Sequence, residues 1–112
     1  MSVSLLVFEG EDFNNLKSQM IAEIPVSFQK IWNETWEKAI SMCNIKTFVC
    51  GGMFSINAIP SVLTELSSIY DWVNHNGGKD AEYIKNRICE LKTLLNSYYD
   101  RHKNSNYWFD LG

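Results

Sequence analysis

Residues 28–43 read FQKIWNETWEKAISMC, and the fold turns on this stretch. Phe28, Ile31, Trp32, Thr35, Trp36, Ala39, Ile40 and Cys43 recur at the three- and four-residue steps of a helix, whereas Gln29, Lys30, Asn33, Glu34, Glu37 and Lys38 face the other way. Ser27 stands where an N-cap belongs. Two indoles one turn apart could form a ligand box. Large aromatics on the apolar face of a helix normally carry packing energy instead, so Trp32 and Trp36 are expected in the core, each indole N–H with a partner. An apolar stripe this wide must be buried against a second layer.

Downstream, Lys46–Cys50, Gly51-Gly52 and Met53–Ile56 have the form of a β-hairpin around a glycine turn, with a single strand and loop as the alternative. Pro60-Ser61 opens a helix with Val62, Leu63, Leu66, Ile69, Tyr70 and Val73 on its inner side, and Asn74–Gly78 reads as its stop and turn. Asp80 then caps the longest helix, with Ala81, Ile84, Ile88, Leu91, Leu95 and Tyr98 in phase as far as about His102. So short a connection sets these two helices antiparallel. Beyond a polar hinge, Tyr107-Trp108-Phe109-Asp110-Leu111 is too aromatic for a loose end, and is expected to be ordered as a docked plug or as a strand, with the N-terminal strand as a candidate neighbour.

Upstream, Val3–Phe8 reads as a buried strand. From Asp12 the period changes: Phe13, Leu16, Met20 and Ile21 share a helical face, Asp12 is the N-cap, and Pro25 ends the element. The expected fold is therefore α+β, in one domain over residues 1–112. Four amphipathic helices dominate it, and the N-terminal strand, a central hairpin or strand and the C-terminal segment make a small, mainly antiparallel sheet.

Composition supports a globular chain that folds alone: of 112 residues, 46% are apolar and 21% charged. The net charge of -3 disfavours nucleic acid, whose binders concentrate Lys and Arg on one face. No stretch reads as a signal peptide or membrane span, so a cytoplasmic location is expected, without membrane attachment. In that setting the sequon Asn33-Glu34-Thr35 is a coincidence of sequence.

Chemistry-bearing residues are sparse. Cys43, Cys50 and Cys89 fit neither a disulfide framework nor a CxxC pair, and Cys43 and Cys89 fall on apolar helix faces. His75, in a turn, and His102, near a helix end, are too far apart in sequence to form a metal site by helical spacing. Neither a metal nor any other cofactor is expected, and no catalytic residue is assigned. Cys50 beside Gly51-Gly52 leaves one alternative open, a small thiol-dependent enzyme or ligand-binding domain.

A small acidic α+β chain rich in Trp, Tyr and Asn, with an aromatic tail and no catalytic signature, resembles the bacterial immunity proteins of contact-dependent growth inhibition and other polymorphic toxin systems. The resemblance is one of general character across the chain, without matched motif residues. It implies a protein partner, a basic, nuclease-type toxin domain whose active site the immunity protein covers. The candidate partner-binding residues are Glu9, Glu11 and Asp12, the chain's densest acidic group, with Asp71, Trp72, Tyr107, Trp108 and Asp110. An accessory subunit of a larger complex would share most of these features.

Overall fold

The computed structural model describes residues 2–10 and 20–112. Strand β1 (Ser2–Glu9) is followed by β2 (Met20–Phe28), and a first helix, α1, spans 29–42. Then come the short β3 (Met53–Ser55), helices α2 (Ile59–Asn76) and α3 (Ala81–His102), and β4 (Tyr107–Leu111). The sheet order is β2-β1-β4-β3 with every neighbouring pair antiparallel. The α+β class, the N-terminal strand and the pairing of the aromatic tail with it are as the sequence led us to expect. The number of helices is not: among the described residues there are three.

Of the helix expected from Asp12 to Pro25, the described part, from Met20 on, is strand β2. Residues 11–19 lie outside those described, but Met20 and Ile21, assigned to its buried face, are strand residues and exposed. Met20, Ile21 and Ile24 satisfy a helical period by chance, while Ile24 and Val26 satisfy the strand period and are the residues that are buried. Pro25 marks an edge strand rather than a helix end. Among the described residues β2 pairs only with β1, so its other side needs no N–H at that position.

β1 buries Val3, Leu5 and Val7 and turns Leu6 and Phe8 to the other face. β2 runs against it with two irregularities, between Val3 and Ser4 and between Val7 and Phe8. The first inserts Val26 as an extra residue, which is why the neighbours Val26 and Ser27 are both buried. Ser27 is thus a strand residue, not the cap of α1; Phe28 holds that position, without a side-chain cap.

α1 carries an irregularity of its own. Between Gln29–Ile31 and Glu37–Met42 the stretch Trp32–Trp36 is π-helical, the Glu37 amide bonding to the Trp32 carbonyl five residues back. Both indoles are fully buried, stacked on each other with centroids 5.2 Å apart and packed against Phe48. Trp32 Nε1 donates to Glu37 Oε1 at 2.5 Å. Trp36 Nε1 has no partner, the one such buried side-chain polar atom among the described residues, contrary to the expectation of a partner for each indole.

Asn44, at φ 55, ends α1 in the left-handed region that Asn tolerates, and the Ile45 amide closes back on the Ile40 carbonyl. The chain then forms no hairpin. Residues 46–48 are instead tied to α2, where the Glu65 carboxylate accepts the amides of Lys46, Thr47 and Phe48 at 3.0, 3.1 and 2.9 Å. Only Met53–Ser55 is a strand, and it pairs with β4.

Helices α2 and α3 form an antiparallel hairpin across Gly77-Gly78. A Cβ on Gly77 would lie 2.7 Å from the Val73 carbonyl oxygen, so this close crossing requires glycine. Asp80 does occupy the N-cap position of α3, but its carboxylate accepts the Thr35 hydroxyl at 3.1 Å instead of capping helix amides. The inner faces of all three helices join Val3, Leu5, Val7, Phe54, Tyr107, Phe109 and Leu111 in one core. That core lies on one side of the sheet.

Candidate functional site

Because side chains alternate along a strand, the residues between the core positions form the opposite face of the sheet. Register places them in two rows. One is Glu23–Leu6–Asp110–Met53, read across β2, β1, β4 and β3. The other is Met20–Phe8–Trp108–Ser55. Leu6, Phe8, Trp108 and Asp110 are half-buried, and Leu6, Phe8 and Trp108 lie outside the core; Met20 and Met53 are exposed.

The charges divide with the layers. The four strands carry Glu9, Glu23 and Asp110 and no Lys, Arg or His. Elsewhere in the described residues eight acids are matched by nine Lys and Arg, so the net acidity of the described residues is concentrated on the sheet. Several of those cations are engaged where they stand: Lys85 with Glu82 and Asn74, Lys92 with the Ser67 hydroxyl, and Arg87 with Glu90.

The candidate residues named from sequence do not form one surface. Trp108 and Asp110 lie on the outward face of the sheet. Glu9 is exposed at the end of β1, opposite Tyr107. Tyr107 itself is buried, its ring stacked on His102 with centroids 4.4 Å apart, which withdraws it from the candidate surface. Burial above all, and then the Glu9 carboxylate with which it shares a hydrogen bond, push the Tyr107 phenol above its ordinary pKa. Asp71 is exposed on α2, in the helical layer, and Trp72 beside it packs against the core. Glu11 and Asp12 lie outside the described residues. Sequence reasoning missed Leu6, Phe8, Met20, Glu23 and Met53, because a face shared by four strands is visible only once their register is known.

The reactive groups are dispersed. Cys89, expected on an apolar helix face, is exposed, as is Cys50. Cys43 is half-buried with its thiol directed at the Ser68 carbonyl, and burial together with the Asp71 carboxylate pushes its pKa up. The amides of the glycine turn are engaged: Gly51 donates to the Leu111 carbonyl at 2.6 Å and Gly52 to Val49 at 3.0 Å. His75 lies in the last turn of α2, not in a turn beyond it, with Nδ1 2.9 Å from the Asp71 carbonyl oxygen. Among the described residues no group of His, Cys, Asp and Glu is arranged to hold a metal ion, and no helix is long and apolar enough to cross a membrane. No protein-family model, curated protein or solved structure matches the chain.

Proposed function

We propose that this protein is a binding inhibitor of the immunity type, which masks the active site of a basic, nuclease-type toxin domain in the cytoplasm of the cell that makes it. The observation that carries the reading is the division of charge: a sheet whose only ionisable side chains besides Tyr107 are carboxylates, backed by a helical layer of near-neutral charge. A field of one sign steers an oppositely charged protein into encounter, and apolar and aromatic groups within it slow departure. Inhibition in this scheme is steric and needs no catalytic group.

The test is co-purification from cells carrying the neighbouring genes, at low and at high salt. A basic partner whose enzymatic activity is lost on mixing and regained when salt separates the pair is the expected result. A chain that retains no partner at low salt and inhibits no neighbouring gene product would refute the reading.

A further inference from the structure

We propose that the outward face of the sheet is the docking surface for that partner, and that the element docked there is an amphipathic, cationic helix. The inference rests on the inhibitor reading above. It adds where the partner binds and by what structure.

The floor of the surface is Leu6 and Phe8 on β1, with Met20 and Trp108 flanking Phe8 and Glu23 and Asp110 flanking Leu6. Adjacent strands are separated by ~4.8 Å, so the backbones bearing Glu23 and Asp110 stand roughly 10 Å apart with the apolar floor between them. That separation matches the ~10–12 Å diameter of a helix with its side chains. A helix laid along β1 would bury its apolar stripe on Leu6 and Phe8, and Lys or Arg on its two flanks would each reach one carboxylate. The protein's own helices already cover the sheet's other side. The partner's helix completes a three-layer arrangement.

Charge and backbone geometry select this occupant over others. A second copy placed face to face would oppose Glu23 and Asp110 to the same carboxylates, with no cation among the described residues of either face. Nucleic acid and acidic membrane surfaces meet the same repulsion. Strand addition fails at both edges: Pro25 has no N–H, Arg87 holds the carbonyls of Pro25 and Val26, and β3 at the far edge is three residues long.

The probe is a fluorescein-labelled peptide of Leu and Lys spaced as an amphipathic helix, with a Leu and Glu peptide as its charge-inverted control. We expect the Lys peptide to bind and gain helicity by circular dichroism, and the Glu peptide not to bind. Glu23→Lys with Asp110→Lys should weaken binding about tenfold or more. Glu34→Lys with Asp100→Lys, the same charge change on the helical side, should leave it within about twofold. Asp110→Asn alone serves the comparison if the double reversal does not fold. Equal losses in the two double variants, or binding without helix formation, would overturn the proposal. If the Glu23→Lys, Asp110→Lys protein still inhibits a cognate toxin, the docking face is wrong while the inhibitor reading survives. If the peptide binds this face but no neighbouring gene product is inhibited, the reverse holds.

Discussion

The Glu65 carboxylate on α2 receives the amide N–H of Phe48 at 2.9 Å, and through it and the adjoining amides of Lys46 and Thr47 the loop after α1 is fastened to the helix hairpin. This clasp seats Phe48 against Trp32 and Trp36. Glu65→Ala leaves three amides to find water or remain unpaired, at a cost of roughly 1–3 kcal/mol. Glu65→Gln, which keeps an acceptor, should fall between it and the parent. Urea unfolding with an unchanged slope checks both.

The two stacked tryptophans differ in one respect that mutagenesis can read. Trp32→Phe and Trp36→Phe remove similar volume from the core, but only Trp32 loses a hydrogen bond, leaving Glu37 without its donor. Trp32→Phe should be the more destabilising by about 1 kcal/mol. Equal midpoints of thermal or urea unfolding for the two variants would contradict this.

The raised pKa of Tyr107 has a definite consequence in alkali. The folded protein keeps this phenol proton at a pH where the unfolded chain has begun to lose it, so above about pH 10 the unfolded state binds fewer protons and stability falls. Tyr107→Phe keeps a ring to stack on His102 and removes the ionisation, and should flatten the alkaline decline. Unfolding midpoints measured from pH 8 to 11 give the comparison.

Arg87 has its Nε 3.2 Å from the Val26 carbonyl oxygen and its Nη2 on that of Pro25, closing the outer side of β2. Arg87→Ala exposes those acceptors on an edge strand. We expect stronger concentration-dependent association than in the parent, visible by sedimentation velocity, with a loss of stability of roughly 1–3 kcal/mol from the vacated carbonyls.

How far the sequence disclosed this molecule follows from which signals are local. The helix periods of α1, α2 and α3 stand in consecutive residues, and their buried residues coincide with the apolar stripes. β4 announced itself by aromatic content. β2 did not, because its strand alternation is broken by two extra residues and a proline, each a device of an edge strand and each easily read as punctuation of a helix. Tyr107 and Trp108, adjacent in sequence and alike in chemistry, point to opposite faces of the sheet, and nothing within the tail says which is buried. The division of charge was hidden for the same reason: Glu9, Glu23 and Asp110 are scattered in sequence, and only strand pairing places all three in one sheet.

The pairing of β1 with β4 also sets the timing of assembly. β1 can join β2 within a few dozen residues of synthesis, but its other neighbour is nearly a hundred residues downstream, Glu9 lying opposite Tyr107. At ~5–20 residues per second the ribosome takes roughly 5–20 s to deliver it. Throughout that interval the nascent chain holds Val3, Leu5 and Val7 beside a bare strand edge, so the newly made protein passes through a vulnerable phase in which a chaperone, or another nascent copy, can reach β1 before β4 does.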